Sequence, residues 1–197
     1  LAHQVAAAIG GDAMALDVTN EEQWIEVMRA VNERHGGLDI LVNNAGNVIF
    51  ESIEDCSLAH FKLHLEIHVV GTFLGCKYAV PLMKHRHEAV GGGGSSIINM
   101  ASTAALMGYG NIPAYAAAKS AVLRLTEALA VENKHLGIRA NAVLPSILDT
   151  PANREAMPDS DPADWVSPES LAGVIAFLLS NAARDINGTG IPVTGRV

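Results

Sequence analysis

Cysteines and cations are both scarce in this chain of 197 residues, and each shortage excludes a class of protein. The two cysteines, Cys56 and Cys76, form no CxxC pair and stand in no Cys/His cluster with zinc-ligand spacing, so neither a disulfide framework nor a zinc site is expected. Reduced thiols favour a cytoplasmic protein. The 13 Lys and Arg residues are scattered among 21 Asp and Glu residues, which argues against nucleic-acid binding through phosphates.

Long apolar runs and a basic leader are also absent from the sequence. No apolar stretch reaches the roughly 18 residues of a membrane helix. Residues 1–9 contain no Lys or Arg, so no signal peptide and no membrane association are expected. Hydrophobic residues nevertheless make up 49% of the chain and charged residues 17%, which is typical of a folded protein. The length suits one domain over residues 1–197.

Strand-like apolar runs alternate with helical patterns along the chain. Strands are predicted at residues 13–18, 38–42, 95–101, 138–144 and 191–194, and helices at residues 20–35, 57–87, 113–135 and 168–181. Pro81 is expected to kink or interrupt its helix. Residues 91–94 are predicted to form a flexible break and residues 146–166 a loop. The alternation indicates an α/β fold with a parallel sheet, which binds ligands at the carboxyl ends of its strands.

Tyr115 and Lys119 stand four residues apart near the start of a predicted helix, so they share one helix face. A nearby ammonium group favours phenolate, and we therefore expect Lys119 to lower the pKa of Tyr115 from its usual value near 10. Such a tyrosine exchanges a proton near neutral pH. Taken alone, the pair also fits an ordinary Tyr and Lys on a helix surface.

Ser102 lies at the end of the strand predicted at residues 95–101, thirteen residues before Tyr115. A hydroxyl at that place can reach the same space as Tyr115 and form a hydrogen bond with a substrate oxygen. Alternatively, Ser102 merely ends its strand.

Four segments in this order resemble the short-chain dehydrogenase/reductase family over essentially the whole chain. They are Asn43-Asn44-Ala45-Gly46 after a strand, Ser102, Tyr115-Ala-Ala-Ala-Lys119, and Asn141-Ala-Val-Leu-Pro145. The resemblance implies a doubly wound, Rossmann-like α/β fold. It also implies an oxidoreductase that uses NAD or NADP to interconvert a small secondary alcohol and a ketone by hydride transfer. A homodimer or homotetramer is expected by the same resemblance.

The resemblance further assigns roles to individual residues. Tyr115 is the general acid/base, Lys119 lowers its pKa and holds the nicotinamide ribose, and Ser102 orients the substrate oxygen. Substrate specificity is expected from residues 146–166 and from those near 103–112. The cofactor-binding residues that the resemblance implies are Asp17, Val18, Asn44, Ala45, Gly46, Tyr115, Lys119, Pro145, Leu148 and Thr150.

The family's glycine-rich turn, which meets the cofactor pyrophosphate between the first strand and helix, has no counterpart in the sequence. Residues 1–9 instead resemble the family's second helix, so the first β-α-β unit is missing. Three outcomes follow: the chain is a fragment of a longer protein, the strand at 13–18 closes up against that at 38–42, or an oligomer partner covers the exposed edge. The alternative function is a catalytically weak or inactive relative that has lost its pyrophosphate-binding loop.

Two single positions also depart from the family pattern. His68 stands where the family has an Asn that helps to hold a water in the proton relay, and since histidine both donates and accepts, we expect it to substitute. His60, His64 and His68 share a helix face, but no carboxylate completes a set of ligands, so no metal is expected. Ser146 replaces a Gly after Pro145 and would be strained if the turn needs a positive φ.

Overall fold

The sheet consists of parallel strands that neighbour one another in chain order. The computed structural model describes residues 2–90 and 94–196, and within them the strands are Ile40–Asn43 (β1), Ser95–Met100 (β2), Ile138–Pro145 (β3) and Gly190–Val193 (β4). The order is β1-β2-β3-β4, with every neighbouring pair parallel. The four corresponding predictions are confirmed to within a few residues, and all four carboxyl ends lie at one edge of the sheet.

Local signals place most helix ends where the sequence predicts them. The helices are Ala2–Ile9 (α1), Glu21–His35 (α2), Leu58–His64 (α3), Gly71–Val90 (α4), Pro113–Asn133 (α5), Pro151–Ala156 (α6) and Pro168–Leu179 (α7). The side chain of Asn20 caps α2 by accepting from the amide of Gln23, and Gly36 ends that helix with a φ of 70°. Pro113 opens α5 from a position that needs no amide donor. None of the described helices is long and apolar enough to cross a bilayer.

The long helical stretch after Ser57 contains a widened turn that the sequence does not predict. Ser57 caps α3, the segment Leu65–Val70 is a π-helix, and α4 follows directly. Pro81 lies inside α4, which continues to Val90, so of the two predicted effects an interruption does not occur and a kink stays a prediction. Of the flexible break predicted at residues 91–94, residues 91–93 lie outside the described residues.

Alternating side chains of β2 and β3 build a separate core on each face of the sheet. Ile97 and Ala140 pack with side chains of α2 and α4 on one face. Ile98 and Val143 pack against α7 on the other face. Helices therefore cover both faces of a parallel sheet, and the prediction of a doubly wound α/β fold is confirmed.

The strand predicted at residues 13–18 is wrong. These residues form no ladder in the structure; instead the amide of Asn20 donates to the carbonyl of Asp17, and the indole Nε1 of Trp24 donates to the carbonyl of Val18 at 2.9 Å. An apolar run becomes a strand only where a neighbouring strand pairs its backbone groups. β1 is accordingly an edge strand whose Ile40 is 45% exposed. Closure of residues 13–18 against β1 is thereby excluded.

The loop predicted at residues 146–166 is also wrong in part. It contains α6 and a 3₁₀ turn at Pro162–Asp164. Thr150 caps α6 by accepting from the amide of Asn153, and Asp161 caps the 3₁₀ turn in the same manner. Thr-Pro and Asp-Pro are helix-start signals that were present in the sequence.

We predict that Ile97→Ala lowers the free energy of unfolding by about 2–5 kcal/mol, because Ile97 is fully buried in the middle of the sheet and the truncation leaves a cavity. The matched control is Ile40→Ala on the exposed edge strand, for which we expect a loss below about 1 kcal/mol. Urea denaturation measures both values. Equal losses in the two variants would contradict the assignment of the core to β2.

Candidate active site

The candidate catalytic residues meet at the carboxyl edge of the sheet, above β2 and β3. Ser102 follows β2, while Tyr115 and Lys119 project from the first two turns of α5. Ser102 and Tyr115 share a cavity of about 660 Å³ with residues that follow β3 and β4, among them Ser146, Ile147 and Thr194. Because parallel strands end at one edge, three distant parts of the chain contribute to one site.

Ser102 has two roles in the structure. Its hydroxyl accepts from the amide of Ala104 at 3.2 Å and so caps the 3₁₀ turn Thr103–Ala105. The hydroxyl also donates to the carbonyl of Pro145 at 3.5 Å, and Ser102 lines the same cavity as Tyr115. Both interpretations of Ser102 therefore hold: it ends its strand, and its hydroxyl shares the space of the tyrosine.

Burial raises the pKa of Tyr115, and the nearby hydroxyl of Ser102 opposes that rise only in part. The ammonium of Lys119 lies 5.5 Å from the centre of the Tyr115 ring. Its charge does not outweigh the desolvation of the phenol. The predicted fall in the pKa of Tyr115 is thus wrong for the protein by itself.

Lys119 is itself buried, with 5% of its surface exposed, and burial lowers its pKa to about 8. Its Nζ donates to the carbonyl of Met100, the last residue of β2, at 2.6 Å. This bond fixes the direction of the side chain and ties α5 to the end of β2. Lys119 therefore sits below the Tyr115 ring, at the carboxyl edge of the sheet.

His68 lies in the π-helix, with its ring edge against Tyr115. The ring centres are 5.4 Å apart at an interplanar angle of 86°. Its Nε2 donates to the carbonyl of Asn47 at 2.8 Å, which leaves Nδ1 as an acceptor that is buried and finds no hydrogen-bond partner among the described residues. Burial first, and then the charge of Lys119, lower the pKa of His68 to about 4. His68 is therefore neutral at physiological pH.

The other two histidines on the same helix face, His64 and His60, form hydrogen bonds within the protein. Nδ1 of His64 donates to the carbonyl of His60 at 2.9 Å, and its Nε2 accepts from the amide of Ile49 at 3.3 Å. His60 pairs with Glu51 at 2.7 Å. The part of the chain that the structure describes holds no group of three or more His, Cys, Asp or Glu side chains placed to bind a metal.

The turn after β3 is held by side-chain caps and not by strain. The hydroxyl of Ser146 donates to the carbonyl of Thr194 at 2.7 Å. Asn111 is the residue other than glycine with a positive φ among those described, so the expected strain at Ser146 does not arise. Leu148 bridges to Val166, and the hydroxyl of Thr150 caps α6.

Comparison with known proteins identifies the family. The family model described as enoyl-(acyl carrier protein) reductase matches residues 1–195. The trans-4-hydroxycyclohexanecarboxylate dehydrogenase of Sinomonas cyclohexanicum is 37% identical over 183 residues, which cover 91% of this chain and 68% of the relative. The chain belongs to the short-chain dehydrogenase/reductase family. The resemblance inferred from the four sequence segments is confirmed, and with it the class of NAD(P)-dependent oxidoreductases.

Solved structures agree with this assignment. The 3-ketoacyl-(acyl-carrier-protein) reductase of Brucella melitensis, complexed with NADH, is 32% identical, with a TM-score of 0.87 over 99% of this chain and 83% of that one. The L-sorbose reductase of Gluconobacter frateurii, complexed with NADPH and L-sorbose, is 29% identical, with a TM-score of 0.85 over 98% of this chain and 80% of that one.

In this short-chain dehydrogenase/reductase, the segment after β1 is shaped by the histidine. A Cβ added at Gly46 would lie 2.7 Å from Cε1 of His68, so only glycine lets the backbone pass the ring. Asn44, Ala45 and Gly46 are exposed at the carboxyl end of β1. Their predicted contact with a cofactor is compatible with that position.

The remaining predicted cofactor residues lie outside the cavity. The carboxylate of Asp17 is exposed and accepts from the amide and hydroxyl of Thr19 at 3.0 and 2.8 Å, and these bonds lower its pKa. Val18 packs against Gly71 at the start of α4. Pro145, Leu148 and Thr150 also do not line the cavity, and their roles stay predictions.

Both segments from which substrate specificity is predicted contribute to the cavity wall. Leu106 and Met107 belong to the residues near 103–112, and Asn153 and Met157 to residues 146–166. The sequence analysis does not predict Val48 and Phe50, which come from the segment after β1, where the sequence offers no periodic or capping signal.

We predict that Gly46→Ala lowers the free energy of unfolding by about 1–3 kcal/mol, because the added methyl group forces the buried His68 ring or the backbone to move. Gly108→Ala is the matched control, since a Cβ there meets nothing within 4 Å. Urea denaturation of both variants tests the contact. A Gly46→Ala variant as stable as the control would exclude a rigid contact between this segment and His68.

His68 also predicts a pH dependence of stability. The unfolded chain binds a proton at this residue near pH 6.5, whereas the folded protein binds it only near pH 4. The contribution of His68 is therefore complete above pH 6.5 and is lost as the pH falls toward 4. We expect wild type to lose more unfolding free energy between pH 7 and pH 5 than His68→Asn does. Identical losses would show that His68 titrates normally in the fold.

Proposed function

We propose that this short-chain dehydrogenase/reductase interconverts a secondary alcohol and a ketone, with Tyr115 as general acid/base and NAD or NADP as hydride carrier. The observation that carries the proposal is that Ser102 and Tyr115 line one cavity at the carboxyl edge of the sheet. Two donors side by side match a single substrate oxygen, whether hydroxyl or carbonyl.

The residues present fit the nicotinamide half of such a cofactor. Ile147, Pro192 and Thr194 form a mainly apolar wall beyond β3 and β4 that suits the nicotinamide ring. Lys119 would hold the ribose, and the exposed turn at Asn44–Gly46 would face the adenosine side. The Brucella and Gluconobacter relatives, solved with NADH and NADPH, support binding of either form.

When bound, the cofactor accepts or supplies the hydride at the substrate carbon. In oxidation, the hydroxyl proton of the alcohol passes to Oη of Tyr115 as the C–H bond yields its hydride; in reduction, Oη returns that proton to the carbonyl oxygen. The Ser102 hydroxyl donates to the same oxygen and holds it beside Tyr115. The Lys119 ammonium, 5.5 Å from the ring centre, stabilises the phenolate that oxidation requires.

His68 takes the place of the family's relay Asn in this proposal. Because Nε2 donates to Asn47, Nδ1 offers a buried lone pair within the group formed by Tyr115 and Lys119. An acceptor at this place can hold a proton-carrying water beneath the site, as an Asn carbonyl would. The ring stays neutral above about pH 4, so it keeps this lone pair across the working range.

One observation favours a second candidate for these 197 residues by themselves, a folded unit with weak cofactor affinity. Among the described residues, no strand leads through a glycine-rich turn into a helix, so they offer no ready pyrophosphate site of their own. Each charge-assisted hydrogen bond missing there costs about 1.5–3 kcal/mol of binding. Calorimetric titration with NADH and NADPH separates the candidates, since micromolar affinity excludes the second.

We predict that Tyr115→Phe lowers kcat/KM for alcohol oxidation by at least about 100-fold, because the general acid/base is removed. Tyr78→Phe is the matched control: its hydroxyl donates to Glu21 at 2.6 Å, far from the cavity, and its removal leaves turnover near wild type. Thermal melts confirm that both variants fold. Wild-type turnover by Tyr115→Phe would refute the assigned chemistry.

A further inference from the structure

The walls of the active-site cavity hold no acidic or basic side chain among the described residues. None of the described residues that line it is Asp, Glu, Lys, Arg or His. This is notable in a chain with 13 Lys and Arg and 21 Asp and Glu residues. A carboxylate or phosphate placed inside would lose its hydration without gaining a counter-ion, which is strongly unfavourable.

The cavity has a polar end and an apolar end. The hydroxyls of Ser102 and Tyr115 mark the reacting end. Away from them, the walls are formed by Phe50, Leu106 and Met107, and these side chains remain 56%, 58% and 60% exposed at the mouth. A backbone hydrogen bond of 2.7 Å from Glu51 to Asn111 joins the two loops that carry them. The shape suits a molecule with one reacting oxygen and an apolar body.

Three charged residues close to the cavity form bonds within the protein. Arg154 on α6 donates to both oxygens of Asp149, from Nε at 2.6 Å and from Nη2 at 2.8 Å. The Lys119 ammonium is committed to the carbonyl of Met100. Glu51 pairs with His60 near the mouth. Neither Arg154 nor Lys119 lines the cavity, so neither is a direct counter-ion for an anionic substrate.

We infer that the substrate is an uncharged, mainly apolar alcohol or ketone, and that the cavity discriminates against substrates bearing a carboxylate or phosphate. This inference rests on the proposed function and narrows it to one chemical class. It also separates this chain from the Sinomonas relative, which is named for a hydroxycyclohexane carboxylate.

The test compares two ketones with the same ring, one carrying a carboxylate and the other its uncharged methyl ester: 4-oxocyclohexanecarboxylate and methyl 4-oxocyclohexanecarboxylate. Each is reduced by the full 197-residue chain with NADH and with NADPH. We expect kcat/KM for the ester to exceed that for the acid by at least about 100-fold, because the acid must shed its hydration in an uncharged site. The Sinomonas relative is assayed in parallel as a control for the quality of both compounds.

A variant gives the reciprocal test. Met107→Lys places a cation at the apolar end, and we expect it to move the ester-to-acid ratio toward the acid by at least about 10-fold. Met107→Leu adds no charge and is expected to keep the preference of wild type. An unchanged ratio in Met107→Lys would contradict the inference, because an uncharged wall would then not be the cause of discrimination.

Binding is measured separately by saturation-transfer NMR of both compounds, with each cofactor present. Equal turnover of acid and ester overturns the inference and leaves the proposed function standing. No turnover of either compound counts against the proposed function, and the NMR then decides the inference. Binding of the ester alone supports it, whereas equal binding of both compounds, or binding of neither, overturns it.

Discussion

The parallel pairing of β2 with β3 is the constraint on which the rest of the structure depends. Both strands are buried on both faces, so their register determines which side chains meet α5 and which meet α7. Because the strands run in one direction, their carboxyl ends bring Ser102 and Ser146 to one edge. A shift of one residue in the pairing of β2 with β3 would move the core side chains of the shifted strand to the wrong face and would disrupt the site.

Hydrogen bonds between buried polar groups fix the position of α5 on the sheet, which apolar packing alone does not specify. The side-chain Nδ2 of Asn43 donates to the side-chain Oδ1 of Asn99 at 2.8 Å. The Nδ2 of Asn99 in turn donates to the hydroxyl of Thr126 at 2.9 Å. This chain of bonds joins β1, β2 and α5. The bond from Lys119 to Met100 adds a second tie at the site itself. Since each of these groups would be costly to leave unpaired, the network specifies one position of α5 on the sheet.

His68 is packed closely by residues from two segments of the chain. The π-helix at Leu65–Val70 turns His68 inward, and His64 stacks on it with ring centres 5.8 Å apart. Gly46 lets the backbone pass the His68 ring because it has no side chain. The π-helix, the two histidines and the glycine therefore form one packed unit. π-turns are frequent at functional sites.

The sequence by itself determined the helix ends and the family motifs. Asn20, Ser57 and Pro113 act on backbone groups within about four residues, so their effect can be predicted locally. Tertiary structure alone decided three things: that residues 13–18 form no strand, that Phe50 lines the cavity, and that burial raises the pKa of Tyr115. Strand pairing, cavity walls and desolvation all depend on residues distant along the chain, and no local pattern encodes such neighbours.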